Sequence, residues 1–183
     1  AEMNNSNVYG GNLSVGVIDV MAQYYDGGTD NGYAYYYPAK YDYTATSLKN
    51  TFSNIWSKMY NLITSVNIII EKCDQTDVLS AQYQKIVKGE ALALRAMLHL
   101  DLLRLFGPIM SENATEQAIP YMTKSDQNIQ DILTADVVIG KIINDLNQAS
   151  DLLKDSDPII TDGVMHTPTD EDNLDFCYRQ YRL

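Results

Sequence analysis

Ala91-Leu-Ala-Leu-Arg-Ala-Met-Leu-His-Leu-Asp-Leu-Leu-Arg-Leu-Phe106 is apolar on nearly every side of a helical wheel. A helix of that kind is covered on several faces, so this stretch predicts the central element of a helical core. Upstream the pattern narrows to one face, with Tyr83, Ile86 and Val87 inward, and the helix is expected to span Ser80 to Phe106. Gly107-Pro108 ends it: glycine suits a left-handed cap, and proline cannot continue the helix.

A second long helix precedes it. From Thr46 to Cys73, Phe52, Ile55, Trp56, Met59, Ile63, Val66, Ile69 or Ile70, and Cys73 recur every three or four residues. Asn50, Asn54, Lys58, Asn61 and Ser65 fall on the opposite face, and Thr46 or Ser47 can cap the start. The short link from Asp74 to Leu79 makes the pair an antiparallel hairpin. Residues 109–133 read as loop and extended chain, stiffened at Ile119-Pro120. A third helix is expected over Ala135 to Lys154, capped by Thr134, with Val138, Ile142, Leu146, Ala149 and Leu153 as its buried stripe. Residues 155–175 are acidic and turn-rich and predict an exposed loop; Tyr178 to Leu183 begins a fourth helix. Residues 1–46 are irregular, with turns at Asn4-Asn5, Gly10-Gly11, Gly27-Gly28 and Asn31-Gly32, and with a short helix open between Leu13 and Tyr25. The fold class is therefore all-α: helical hairpins with long irregular loops, in one domain over 1–183. Its parts are an irregular, tyrosine-rich segment (1–46), a hairpin (47–106), and a third helix with the acidic loop and the start of a fourth helix (134–183).

The net charge of -11 excludes a nucleic-acid partner, which needs a basic face, and also direct docking on an anionic membrane. No apolar run reaches the roughly 20 residues that span a bilayer. Cys73 and Cys177 form neither a disulfide framework nor a metal signature, and a bridge between them is open but unforced. The chain starts at Ala1 without a leader pattern and stops at Tyr181-Arg-Leu183, so a piece of a longer protein is expected.

Catalytic motifs are missing: there is no phosphate-binding glycine loop, no HExxH and no GxSxG. The protein is expected not to be an enzyme, and no cofactor is called for. His99, with Arg95, Asp101 and Arg104 nearby, reads either as an ionic cluster or as a satisfied polar network that sets helix register. The second is favoured, because Arg95 and His99 share a face while Asp101 and Arg104 point elsewhere. Asp26-Gly-Gly-Thr-Asp30-Asn31-Gly32 faintly resembles a calcium loop, but it has Gly at position 3, Asn at position 6 and no glutamate at position 12, so no metal site is expected. His166 and the acidic run from Asp170 to Asp175 read as solvated loop.

One feature points to function. The chain has 14 tyrosines against 3 phenylalanines, and six of them lie in Gly32-Tyr33-Ala-Tyr35-Tyr36-Tyr37-Pro-Ala-Lys40-Tyr41-Asp42-Tyr43. A tyrosine offers a flat apolar face and a polar hydroxyl, the combination a sugar ring needs. Tyr33, Tyr35, Tyr36, Tyr37, Tyr41 and Tyr43, with Asp30 and Asn31 as hydrogen-bonding partners, are the candidate ligand-binding residues. The alternative is that the tyrosines pack the loop on the helices or bind a protein.

Four stretches together resemble the SusD/RagB family of outer-membrane nutrient-binding lipoproteins: Trp56-Ser-Lys-Met-Tyr60-Asn-Leu-Ile63-Thr-Ser-Val-Asn67; Gly89-Glu-Ala-Leu-Ala-Leu-Arg95-Ala96 with Phe106-Gly-Pro108; Ile143-Asn-Asp145-Leu-Asn-Gln-Ala149; and Tyr178-Arg-Gln-Tyr181. They run in order over about residues 50–183. Leu13 to Tyr25 is also similar to the family's start. Ile109 departs from the pattern, since Met110 and not proline comes after it. The chain also resembles only the N-terminal part, without the lipidated cysteine, the first helix or the C-terminal half. The resemblance implies a scaffold of tetratricopeptide-like hairpins with an irregular face. It further implies a surface-exposed protein held on the outer membrane through an N-terminal lipid absent here, which captures oligosaccharides or polysaccharides for a SusC-like TonB-dependent transporter. Peptide capture, or a helical protein–protein scaffold, is the alternative. The family's ligand platform draws on aromatics before the Trp56 helix, which here is the tyrosine-rich segment; Trp56, Arg95 and Asp145 read as scaffold.

Overall fold

The computed structural model describes residues 3–126 and 128–164. The chain divides into two compact units, Ala1–Leu62 and Ile63–Leu183. One long helix, α3 (Thr46–Cys73), runs through the boundary. His166, Cys177, the acidic run from Asp170 and the expected fourth helix lie outside the described residues.

The first unit is mostly turns. Val8 is fully buried, and Asn5 folds the chain around it by accepting amide bonds from Val8 and Gly10 on its carbonyl and from Asn7 on its side chain. Two short helices come next, α1 (Val17–Met21) and α2 (Tyr36–Ala39), which touch each other. Leu48, Ile55, Met59 and Leu62 of α3 complete the core of this unit.

In the second unit α3 continues with Ile63, Val66, Asn67, Ile70 and Cys73 buried, so Ile70 and not Ile69 lies inward. Helix α4 (Ala81–Phe106) starts where Ser80 accepts the Tyr83 amide on its hydroxyl. Its register against the end of α3 is antiparallel: Lys88 pairs with Asp74 and Arg95 with Asn67. As expected of the central element, α4 buries Leu92, Ala96, Leu98, Leu102 and Leu103, though Met97 and Leu100 remain exposed. Gly107 ends the helix in extended, not left-handed, conformation, with φ at -90° and ψ at 171°. The glycine serves a close approach instead, because a Cβ there would meet the Leu103 carbonyl oxygen at 2.6 Å.

Residues 109–133 are more ordered than their composition predicts. They hold a one-turn helix, α5 (Met110–Asn113), and a strand, β1 (Gln117–Ile119), which pairs antiparallel with β2 (Leu133–Thr134). Helix α6 (Ala135–Leu153) packs along α4. Thr134 stands at its N-cap but makes no side-chain cap bond. The carbonyls of Glu116 and Ala114 already accept the Ala135 and Asp136 amides, so the helix start needs no hydroxyl. The buried stripe of α6 is Ala135, Val138, Ile142, Asp145 and Ala149; Leu146, expected inside, is 46% exposed, and the charged Asp145 takes the inward position. The expected acidic loop begins with a short helix, α7 (Pro158–Asp162), capped by Asp157, whose side chain accepts the Ile159 amide. Ser156, Asp157 and Pro158 are buried, and Gln82 donates to the Ser156 carbonyl. Among the described residues no helix is long and apolar enough to cross a membrane.

Candidate functional site

Two constellations compete for a functional role, one in each unit. The first is the buried polar cluster of the second unit. Arg95 donates from Nε to Asp145 Oδ2 (2.6 Å) and from Nη2 to Asp145 Oδ1 (2.8 Å), a two-point ion pair. Its Nη1 reaches Asn67 Oδ1 and the Thr123 carbonyl. Tyr121 donates its hydroxyl to Asp145 Oδ2 at 2.6 Å. Asn67 Nδ2 donates to the Met122 and Lys124 carbonyls. Burial works against the Arg95 charge, and the bonds and charge of Asp145 more than offset it, raising its pKa.

His99 completes the cluster. Its Nδ1 lies 2.9 Å from the Arg95 carbonyl, which can only accept, so the proton sits on Nδ1. Nε2 then accepts the Met122 amide at 3.0 Å, and the ring stacks on Tyr121 at 3.8 Å. Burial pushes the His99 pKa down to about 4, so the ring is neutral. Asp101 and Arg104 form a separate, weak surface pair at 3.5 Å. Every group in the buried cluster is matched to a protein partner, and its product is mechanical. Together with Glu71, which accepts from the Ser125 amide and hydroxyl, it fixes residues 121–125 to the helices.

The second constellation is a groove of about 450 Å3 in the first unit, lined by Asp26, Gly27, Gly28, Thr29, Tyr33, Ala34 and Tyr35. Two glycines build it. Gly28 sits at φ +85°, and a Cβ there would come within 2.9 Å of the Tyr33 ring, so only glycine lets that ring lie on the backbone. Gly27 is pressed between Ala39 and the Tyr35 carbonyl, where a Cβ would stand 2.2 and 2.6 Å from its neighbours. Tyr33 and Tyr35 keep 61% and 41% of their surface exposed, as a stacking face requires. Asp26 Oδ1 accepts the Gly28 amide, closing the turn.

The other candidates occupy different environments. Asp30 and Asn31 are exposed, and Asp30 accepts the Gly32 amide. Tyr36 and Tyr37 are half-buried in an edge-to-face pair at 5.2 Å, with the Lys40 ammonium 4.6 Å above the Tyr36 ring. Tyr41 takes a left-handed backbone (φ 53°) and donates its hydroxyl to the Met21 carbonyl. Tyr43 is exposed on one side, with its ring 6.0 Å from Phe52. The groove also uses Asp26 and Thr29, which residue type and spacing did not single out as ligand contacts. Their adjacency to the Gly27-Gly28 turn was the available signal. Asp26 and Asp30 spend carboxylate oxygens on turn amides, and among the described residues no group of three His, Cys, Asp or Glu is placed to hold a metal ion.

A family model described as starch-binding, associating with the outer membrane, matches residues 16–162. The chain belongs to this SusD-like family. The matched span contains the tyrosine groove, the long helices and the buried cluster. A SusD-like protein of Bacteroides ovatus is 28% identical over 122 residues, covering 65% of this chain and 21% of that protein. A SusD-like protein of Formosa agariphila is 31% identical over 94 residues, covering 51% of this chain and 17% of that protein. The chain thus spans about a fifth of the length of the curated relatives it matches. In architecture it is similar to the crystal structure of a SusD superfamily protein from Bacteroides thetaiotaomicron, with a TM-score of 0.57 at 20% identity, over 70% of this chain and 28% of that one. That likeness bears on the fold alone.

Proposed function

We propose that the protein binds oligosaccharides at the outer surface of the cell and hands them to a SusC-like TonB-dependent transporter, as part of a longer, lipid-anchored chain. The observation that carries this reading is the groove of Asp26, Thr29, Tyr33 and Tyr35, held open by two glycines within the span of a family described as starch-binding. No bond is made or broken. Sugar C–H faces stack on the exposed Tyr33 and Tyr35 rings, and ring hydroxyls bond Asp26, Thr29 and the phenol oxygens. Stacking at about 0.5–1.5 kcal/mol per ring and a few net hydrogen bonds at about 0.5–1.5 kcal/mol each give weak affinity, on the order of 0.1–1 mM. Weak, quickly reversed binding suits a protein that must release its cargo.

The test is calorimetric titration of the chain with soluble polysaccharides, α-glucans first. Binding that Tyr33→Ala and Tyr35→Ala together abolish, with helix content unchanged, supports the reading. An intact protein that binds none of the panel refutes it and turns attention to peptide ligands.

A further inference from the structure

Helices α1 and α2 end in the same way. After α1, the Gln23 amide donates to the Val20 carbonyl at 3.0 Å and the Tyr24 amide to the Asp19 carbonyl at 3.0 Å. After α2, the Tyr41 amide donates to the Pro38 carbonyl at 3.1 Å and the Asp42 amide to the Tyr37 carbonyl at 3.0 Å. This pair of bonds closes a helix by turning one residue past the cap into the left-handed region, a position that glycine usually fills. Here it is filled by Gln23 (φ 64°) and Tyr41 (φ 53°), the two non-glycine residues with positive φ among the described residues. A Cβ costs energy in that conformation, so the two side chains must return something that glycine would not. Each crosses to the other helix. Tyr41 donates its hydroxyl to the carbonyl of Met21, the last residue of α1. Gln23 donates its carboxamide nitrogen to the carbonyl of Ala39, the last residue of α2, at 3.4 Å, and the same nitrogen reaches the Tyr41 hydroxyl at 3.4 Å. The last carbonyls of a helix have no partner inside it, and here each helix end is supplied by the turn of the other.

We infer that Gln23 and Tyr41 form a clasp between the two helix ends that sets the shape of the tyrosine groove. This rests on the carbohydrate reading above, and it makes both residues positioning residues rather than ligand contacts. The groove residues, Asp26 to Tyr35, lie between the two clasp residues in the chain, and neither clasp residue lines the groove. The connection runs through Ala39. Its carbonyl accepts from Gln23, and its methyl stands so close to Gly27 that a Cβ on that glycine would lie 2.2 Å away. Gly27 is itself part of the groove lining. Parting the helix ends therefore withdraws the support behind Gly27. A groove held in shape beforehand loses less freedom when a ligand enters, so the clasp acts on affinity without touching the sugar.

The experiment compares the chain with two variants, Gln23→Gly and Tyr41→Phe, by amide hydrogen exchange and by calorimetry with maltoheptaose. Gln23→Gly removes the side chain and leaves the residue that the turn favours; Tyr41→Phe keeps the ring and removes the hydroxyl. Circular dichroism confirms that each keeps its helix content. Each variant is expected to speed exchange at the turn of the opposite helix, by about three- to tenfold as the loss of one hydrogen bond implies. The amides concerned are Tyr41 and Asp42 in Gln23→Gly, and Gln23 and Tyr24 in Tyr41→Phe. Maltoheptaose affinity falls by a similar factor in both. In Gln23→Gly it falls while the melting temperature holds or rises, a split that a merely structural role would not produce. Exchange that changes only at the variant's own turn overturns the clasp. So does an affinity loss confined to Tyr41→Phe, which makes Tyr41 a ligand contact. Absence of maltoheptaose binding by the intact chain removes the α-glucan reading, and the exchange data still decide whether the clasp exists.

Discussion

Replacing Asp145 by alanine removes three hydrogen bonds at once, two from Arg95 and one from Tyr121. It leaves the Arg95 cation buried without its anion, a change that costs about 3–5 kcal/mol. The orphaned Tyr121 hydroxyl adds about 1–3 kcal/mol, part of which overlaps the first cost. We expect a net loss of about 4–5 kcal/mol, against a total stability of roughly 5–15 kcal/mol for a protein of this kind. At about 2–4 °C per kcal/mol, the melting temperature falls by roughly 10–15 °C. Urea denaturation monitored by circular dichroism at 222 nm measures the loss. The double variant Arg95→Leu/Asp145→Leu is the discriminating control. An ion pair exchanged for apolar groups is often near neutral, so the double variant recovers most of the stability. It does not recover all of it, since Asn67 Oδ1 and the Thr123 carbonyl lose a donor. A loss below about 1 kcal/mol in Asp145→Ala, or a double variant as unstable as the single one, refutes the view that Asp145 acts by neutralising Arg95.

Three further outcomes are expected. The His99 pKa of about 4 lies below its ordinary 6.5, so the unfolded chain binds the extra proton first; stability is full above pH 6.5 and falls by about 3 kcal/mol as the pH drops to 4, and His99→Gln flattens that slope in urea titrations. Gly28→Ala forces a positive φ and presses a methyl on the Tyr33 ring, so glycan affinity falls several-fold by calorimetry while the melting temperature moves by only a few degrees. Gly107→Ala brings a methyl within 2.6 Å of the Leu103 carbonyl and costs about 1–3 kcal/mol in urea, with the cost showing at the end of α4 as faster amide exchange near Leu103.

What could be read in advance depended on whether a residue's surroundings are local. Helix α3 has the bounds Thr46–Cys73 that its periodicity predicts, because apolar spacing is a property of one segment. Helix α4 likewise ends at Phe106 as its pattern predicts, whereas Ser80, expected as its first residue, stands one place before it as the cap. Thr134 does not cap α6, because its task is taken by carbonyls at 114 and 116, far outside any capping window. The apolar pattern puts Leu146 inside, yet Asp145 holds the inward position. Its partner Arg95 lies fifty positions away, and no hydrophobic pattern announces a buried pair. The tyrosine-rich stretch was visible as composition. Which tyrosines share a groove was not, since turns such as Gly27-Gly28 have no period that sorts side chains onto faces.

Saturation of hydrogen bonds is what separates scaffold from site in this protein. Arg95, Asp145, Tyr121, Asn67 and His99 carry the densest chemistry in the chain, and a search guided by residue type alone would choose them first. Each is bound to fixed protein atoms, and burial has driven His99 to the neutral form; nothing is left over for a ligand. Such a cluster is expensive to break and holds residues 121–125 in one place. The groove is built on the opposite plan. Its Tyr33 and Tyr35 rings are exposed, and its glycines are placed for shape. Groups left open to solvent at low cost can exchange water for sugar hydroxyls with little penalty, whereas buried groups already paired cannot. The same physics predicts how substitutions divide: changes in the cluster lower stability and show in urea, and changes at the groove lower affinity and leave stability nearly untouched.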